Sequence, residues 1–386
     1  MPALRWTGAV AMLAPDEFSE GQLNPANAPI PGVEKPSGGL IANLPPASFS
    51  FVMATGIVST GLDLYGAPVP ALVLFIIAVL AGIVLAAATL LRLIGMFGRV
   101  VRDVRSPGRA FGFFTIVAAA NVLGARFEMY GWMSTAMAMA VVGAVVWVVL
   151  NYTLPTELLV AERKNPIIAE INGSWFLWVV GTQSVAVAAA MVARLGGSEL
   201  LAASAVGLWG VGVMLYLIVA TLVTIRLLTH PVDPASLSPT YWIYMGATAI
   251  SVLAGSRILL LPAQMPIMDT AAPAVAGISF ILWALGLWWI PLLLLFGIWR
   301  HVLRHRPLRY EISLWSIVFP LGMYASASML FGTVEGLEFM VGLGRIIIWV
   351  ALFAWLASSL AMAHSAFSWL RGRRNLRGTR TGPSTP

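Results

Sequence analysis

Ser256, in the stretch Ala254-Gly255-Ser256-Arg257, comes nearest in type to an activated nucleophile, and that chemistry needs a base within hydrogen-bonding reach. None is placed for it. His230, His301, His305 and His364 all fall at or beyond the opposite ends of the apolar segments. The sequence has no His-Glu-x-x-His pair, no acidic Asp-Asp-x-x-Asp cluster and no paired Asp at the middle of an apolar run. Metal-assisted hydrolysis, prenyl transfer and aspartyl hydrolysis therefore all lack their residues. Cysteine is absent, which removes thiolate metal sites, iron–sulfur clusters and thiol nucleophiles together. An enzyme is not expected, and no catalytic residue, metal ligand or cofactor is assigned.

What remains is a chemistry of charge and small polar groups. Arg126, Arg194 and Arg257 stand at the ends of three apolar runs, and Arg345 lies about a turn inside another, where a guanidinium is costly. The middles of alternate runs hold Thr55-Gly56, then Ala118 and Asn121, Gly181-Thr182, Gly246 and Thr248, and Phe319-Pro320 with Gly322. Small and hydroxylic residues at such depth serve either close helix packing or a polar path. Their presence in every alternate run, and not in the runs between, favours the path. No Asp, Glu or His lies near the middle of those runs, so a cation would find no counter-charge, whereas the arginines at the ends attract anions. The sequence thus predicts a path lined by Thr55, Gly56, Ala118, Asn121, Gly181, Thr182, Gly246, Thr248 and Gly322, with Arg126, Arg257 and Arg345 recruiting anions.

The elements that must position these residues follow from composition. Hydrophobic residues make up 59% of the 386 positions and charged residues only 10%, against about 25% charged in soluble domains. A helix needs about 20 apolar residues to cross a bilayer. Apolar runs bounded by Pro, Gly and charge are predicted at Pro46–Leu64, Ala71–Ile94, Ala110–Ala125, Trp132–Leu154, Ile171–Ala193, Leu200–Leu228, Pro239–Leu261, Ala272–Trp299, Ile312–Gly332 and Met340–Ala363. The expected fold class is an all-α membrane protein of ten transmembrane helices, spanning 45–364. Residues 1–44 are expected to form a disordered cytoplasmic tail and 365–386 a basic cytoplasmic one.

Orientation comes from the basic residues, which are retained on the cytoplasmic side. With the N-terminus inside, 19 of the 23 Lys and Arg fall on inner segments and only Arg126, Arg194 and Arg257 on outer ones. A multi-pass protein of the cell membrane with both termini cytoplasmic is predicted. The net charge of +7 is then mostly topology, with the lipid bilayer as its partner. No interleaved aromatics point to nucleic acid. Odd-numbered helices are expected inside and even-numbered ones outside. A receptor or assembly scaffold is the rival class, and it would call for larger loops or an appended sensor domain.

Several stretches are familiar. Pro45-Pro46-Ala47-Ser48-Phe49 leading into Met53-Ala54-Thr55-Gly56-Ile57, then Tyr241-Trp242-Ile243 with Met245-Gly246-Ala247, and Trp315 followed by Phe319-Pro320-Leu321-Gly322-Met323, resemble the tellurite-resistance/dicarboxylate transporter family. That family includes fungal malate permeases, sulfite pumps and plant slow anion channels. The resemblance covers about residues 44–365. It implies five helical hairpins around a pseudo-fivefold axis, often as a homotrimer, with odd helices lining an anion pore. It also implies a gate at the Phe before the ninth-helix Pro, here Phe319 and Pro320. The anion itself is not carried over, since the family spans malate, sulfite, chloride, nitrate and tellurite. One departure stands out: the family tends to kink several inner helices at Pro, whereas only Pro320 lies mid-helix here.

Overall fold

Long apolar runs in a bilayer have one economical solution, the α-helix, because every backbone N–H and C=O must find its partner within the segment. The computed structural model describes residues 39–161, 166–231, 237–305, 307 and 310–378, and all the described residues but Gly39 belong to one compact unit, Leu40–Pro386. The described residues are helical and hold no strand. Ten helices are long and apolar enough to cross a membrane. They alternate in character: about four-fifths of the first, third, fifth, seventh and ninth is buried inside the protein, against 11–39% of the others. The inner set is α1 (Ser50–Tyr65), α4 (Phe114–Met129), α6 (Phe176–Gly196), α8 (Ile243–Leu259) and α10 (Trp315–Glu335). The outer set is α2 (Pro68–Gly95), α5 (Met133–Val160), α7 (Glu199–Thr229), α9 (Pro266–Ile298) and α11 (Glu338–Gly378).

Each inner helix packs against the outer helix that follows it, giving five hairpins. Four hairpins turn on a left-handed glycine, as at Gly66 (φ 98°) and Gly336 (φ 70°), a conformation that costs other residues a Cβ clash. The inner helices then close a circuit: α1 packs on α4, α4 on α6, α6 on α8, α8 on α10, and α10 back on α1. Each is entered through a 3-10 turn, at Pro46–Phe49, Ala110–Phe113, Gly173–Trp175, Pro239–Trp242 and Ile312–Leu314. These five turns touch one another in the same closed order, so all the inner N-termini gather at one mouth.

Outer helices lock this circuit with indole N–H groups. Trp355 Nε1 of α11 donates to Thr55 Oγ1 of α1 (3.0 Å), and Trp147 Nε1 of α5 to Thr182 Oγ1 of α6 (3.0 Å). Likewise Trp209 Nε1 of α7 donates to the Ser251 carbonyl of α8 (2.9 Å), and Trp283 Nε1 of α9 to Ser328 Oγ of α10 (2.8 Å). Each bond therefore runs from the outer helix of one hairpin to the inner helix of the next. The fifth junction lacks a Trp; there Gly82 of α2 lies against Leu123 of α4.

Between α2 and α4 a short amphipathic helix, α3 (Phe97–Val104), aligns Phe97, Val100, Val101 and Val104 on one face. It is tied down by Asp103, which takes Arg92 at 2.5 Å and Arg109 at 3.0 Å. Two expectations concern the tails. The N-terminal one falls, as far as residue 38, outside the described residues. At the other end α11 runs without a break to Gly378, past the apolar run expected to end at Ala363 and into the basic segment 365–386. Residues 379–386 lie outside the described residues.

Candidate functional site

A narrow cavity of about 40 Å³ runs between the five inner helices, in the half nearer their C-termini. All five contribute. Ile57, Thr60 and Leu64 come from α1, Asn121, Ala125 and Met129 from α4, and Ser184 and Val187 from α6. Ile250, Leu253 and Arg257 come from α8, and Met323 and Leu330 from α10. Apart from Val122, which adjoins Asn121 on α4, the lining positions within each helix are three, four, seven or eight apart, so each helix presents one face to the cavity.

One helical turn further toward the N-termini, the same faces hold Ala54, Ala118, Val180, Ala247 and Phe319. Each is the fifth residue of its helix. All are fully buried. Four small or mid-sized side chains and one aromatic ring thus share a level where the cavity ends. Pro320, next to the ring, donates no N–H to the carbonyl four residues earlier, on Ser316, which loosens the helix at this point. Its pyrrolidine packs on α8: a Cβ added to Gly246 would sit 2.8 Å from Pro320 Cγ.

Among the residues expected to line a path, Asn121 borders the cavity and Ala118 lies on the same face. Asn121 donates to Ser184 Oγ at 3.0 Å. The hydroxyls are directed elsewhere: Thr55 and Thr182 accept the tryptophan bonds described above, and Thr248 lies against Gly286 of α9. The glycines serve close approach between inner helices. A Cβ on Gly56 would meet Val122 at 2.6 Å, one on Gly322 would meet Ile57 and Val58 at 3.0 Å, and Gly181 faces the ring of Phe114. The lining residues outside the expected set include Thr60 and Ser184, but most are apolar, above all Ile57, Ile250 and Met323. Only their periodic relation to Asn121 and Arg257 could have marked them.

The arginines also separate. Arg257 borders the cavity with its side chain 16% exposed, and its Nη1 meets Glu128 Oε2 at 3.1 Å. Glu128, almost fully buried, holds Arg194 through its other oxygen, so two guanidinium groups share one carboxylate. Arg126 is fully buried against Asp63 (3.2 Å), the Tyr130 hydroxyl (2.9 Å) and the Phe75 ring. Its charge is spent inside the wall between α1, α2 and α4. Arg345 lies exposed on α11 with its guanidinium 5.9 Å from the Tyr65 ring, and no carboxylate among the described residues pairs with it. Arg126 and Arg345 are therefore absent from the cavity lining: the run-end position of Arg126 fixes its depth and not its direction, and Arg345 belongs to an outer helix. No group of metal-ligating side chains occurs among the described residues.

Comparison with known proteins gives this arrangement a context. Residues 43–363 match the family described as voltage-dependent anion channel. An uncharacterised membrane protein of Mycobacterium tuberculosis is 46% identical over 150 residues, which is 39% of this chain and 76% of that protein. Two uncharacterised transporters of Methanocaldococcus jannaschii are 25% and 24% identical, each over 85% of this chain and 95% and 96% of their own lengths. The match spans every membrane helix of the ring, and the chain belongs to the voltage-dependent anion channel family, the grouping of slow anion channels and tellurite-resistance/dicarboxylate transporters that its motifs resemble.

Proposed function

We propose that this protein passes small anions across the cell membrane along the axis of the inner ring, with Phe319 closing the path. The observation that supports this best is the continuity of the five cavity faces with the buried level at Phe319, where one ring stands among Ala54, Ala118, Val180 and Ala247. An apolar constriction of that kind excludes ions by excluding water. Arg257 and Arg194 share the single carboxylate of Glu128, which leaves a net positive charge beside the cavity, and no carboxylate among the described residues borders it. The relatives named as transporters agree with the reading.

In this proposal the five hairpins are related by rotation about the axis, both termini are cytoplasmic, and the mouth at the inner N-termini faces the cytoplasm. The distribution of basic residues supports that orientation. The substrate is a C4-dicarboxylate such as malate, or an inorganic anion such as sulfite, tellurite, chloride or nitrate. The protein assembles as a homotrimer through its exposed apolar outer helices. Anion recruitment falls to Arg257, whose side chain reaches the cavity, rather than to Arg126 or Arg345.

The test is flux in liposomes holding the purified protein, with chloride, nitrate, sulfite, malate and succinate offered in turn across a salt gradient. Reversal potentials are expected to follow the anion. A reversal potential that follows the cation sinks the proposal, and absence of flux for every anion favours a receptor or scaffold.

A further inference from the structure

A second, larger opening lies at the other end of the ring. It has a volume of about 390 Å³ and is walled by four of the five 3-10 turns and the segment 169–172. Its wall is rich in hydrogen-bond donors. Arg226, near the end of α7, is only 8% exposed, yet no carboxylate among the described residues lies within ion-pairing distance of it. Its Nη1 donates to the Tyr241 hydroxyl at 3.3 Å, and its Nε has no partner. Ser174, 7% exposed, borders the same crevice with an unpartnered hydroxyl. Thr240 and Asn172 border it too.

A charge at the last turn of α7 is favourable there because of the helix dipole, but an exposed side chain serves that purpose equally. Burial with no counter-ion among the described residues is what the dipole leaves unexplained. An unpaired guanidinium in a partly dry site is costly unless something negative joins it. The positive ends of the inner helices gather at this mouth and reinforce the same sign. Two other charged residues line the crevice: Arg109 is committed to Asp103, and Glu170 is exposed to solvent, which screens its charge.

We propose that this crevice is an anion-holding station for a small oxyanion or carboxylate, with Arg226 as its charge and the Ser174 hydroxyl as a directing donor. It rests on the anion-path reading for its place in transport, but not for the binding itself. Selenate is a suitable probe, since its selenium scatters anomalously in crystals. An anomalous peak within hydrogen-bonding distance of Arg226 and Ser174 is expected in the wild-type protein and is expected to vanish in Arg226→Gln. Arg226→Lys, which keeps the charge, should retain a weaker peak and guards against a folding defect in the Gln variant. In liposomes, Arg226→Gln should raise the half-saturating anion concentration about tenfold from this mouth, the loss of roughly one charge-assisted bond, and leave the opposite mouth unchanged. A wild-type crystal with selenate only in the axial cavity, or an equal change from both mouths, overturns the station. A crevice peak in a protein that passes no anion upholds the station while sinking the transport reading.

Discussion

Phe319 differs from its four neighbours in the same layer by a ring, and a ring is what an apolar barrier needs. Phe319→Ala is expected to raise anion conductance about tenfold or more, equivalent to lowering a barrier by about 1.4 kcal/mol, while Phe319→Leu leaves the path largely shut. Single-channel or liposome flux measurement on correctly folded protein decides it, and an Ala variant no more conductive than wild type removes the gate. The arginines call for a different comparison. Arg257→Gln should depress flux mainly at low ionic strength, where attraction over about a Debye length is least screened. Arg126→Gln should instead lower thermal stability, on the order of 2 kcal/mol, because it strips Asp63 and Tyr130 of a fully buried partner. Salt-independent loss on changing Arg257 would return that residue to a structural role.

At the scale of elements, the ten helices, their alternation and the positions of most of their ends are legible in the sequence. Which face of an inner helix looks at the axis is not. The reason is physical: a helix surrounded by protein on nearly every side carries no amphipathic phase, so Ile57 and Met323 on the cavity resemble any packing residue. The polarity of Thr55 and Thr182 suits a path, yet in a membrane a hydroxyl is equally useful to a tryptophan on the neighbouring helix. The bond from Trp355 to Thr55 joins the last outer helix to the first inner one and so closes the ring across nearly the whole chain. A double-mutant cycle of Trp355→Phe and Thr55→Val should return a coupling of about 0.6–1 kcal/mol in thermal unfolding. A coupling indistinguishable from zero would show that packing alone closes the circuit.

At the scale of the molecule, all five hairpins run inner helix first, and their five 3-10 turns meet at a single mouth. Many carriers are built from halves inverted in the membrane, which exchange roles so that a central site opens to one side and then to the other. A ring whose members all point the same way has no inverted partner to exchange with. Its two openings are different in kind: a donor-lined crevice at one end, and at the other a narrow apolar throat with Arg257 on its wall. A swap of equivalent halves is therefore not open to this architecture, and on the proposed reading opening would fall to a local movement at the level where Phe319 and Pro320 interrupt an otherwise small-walled axis.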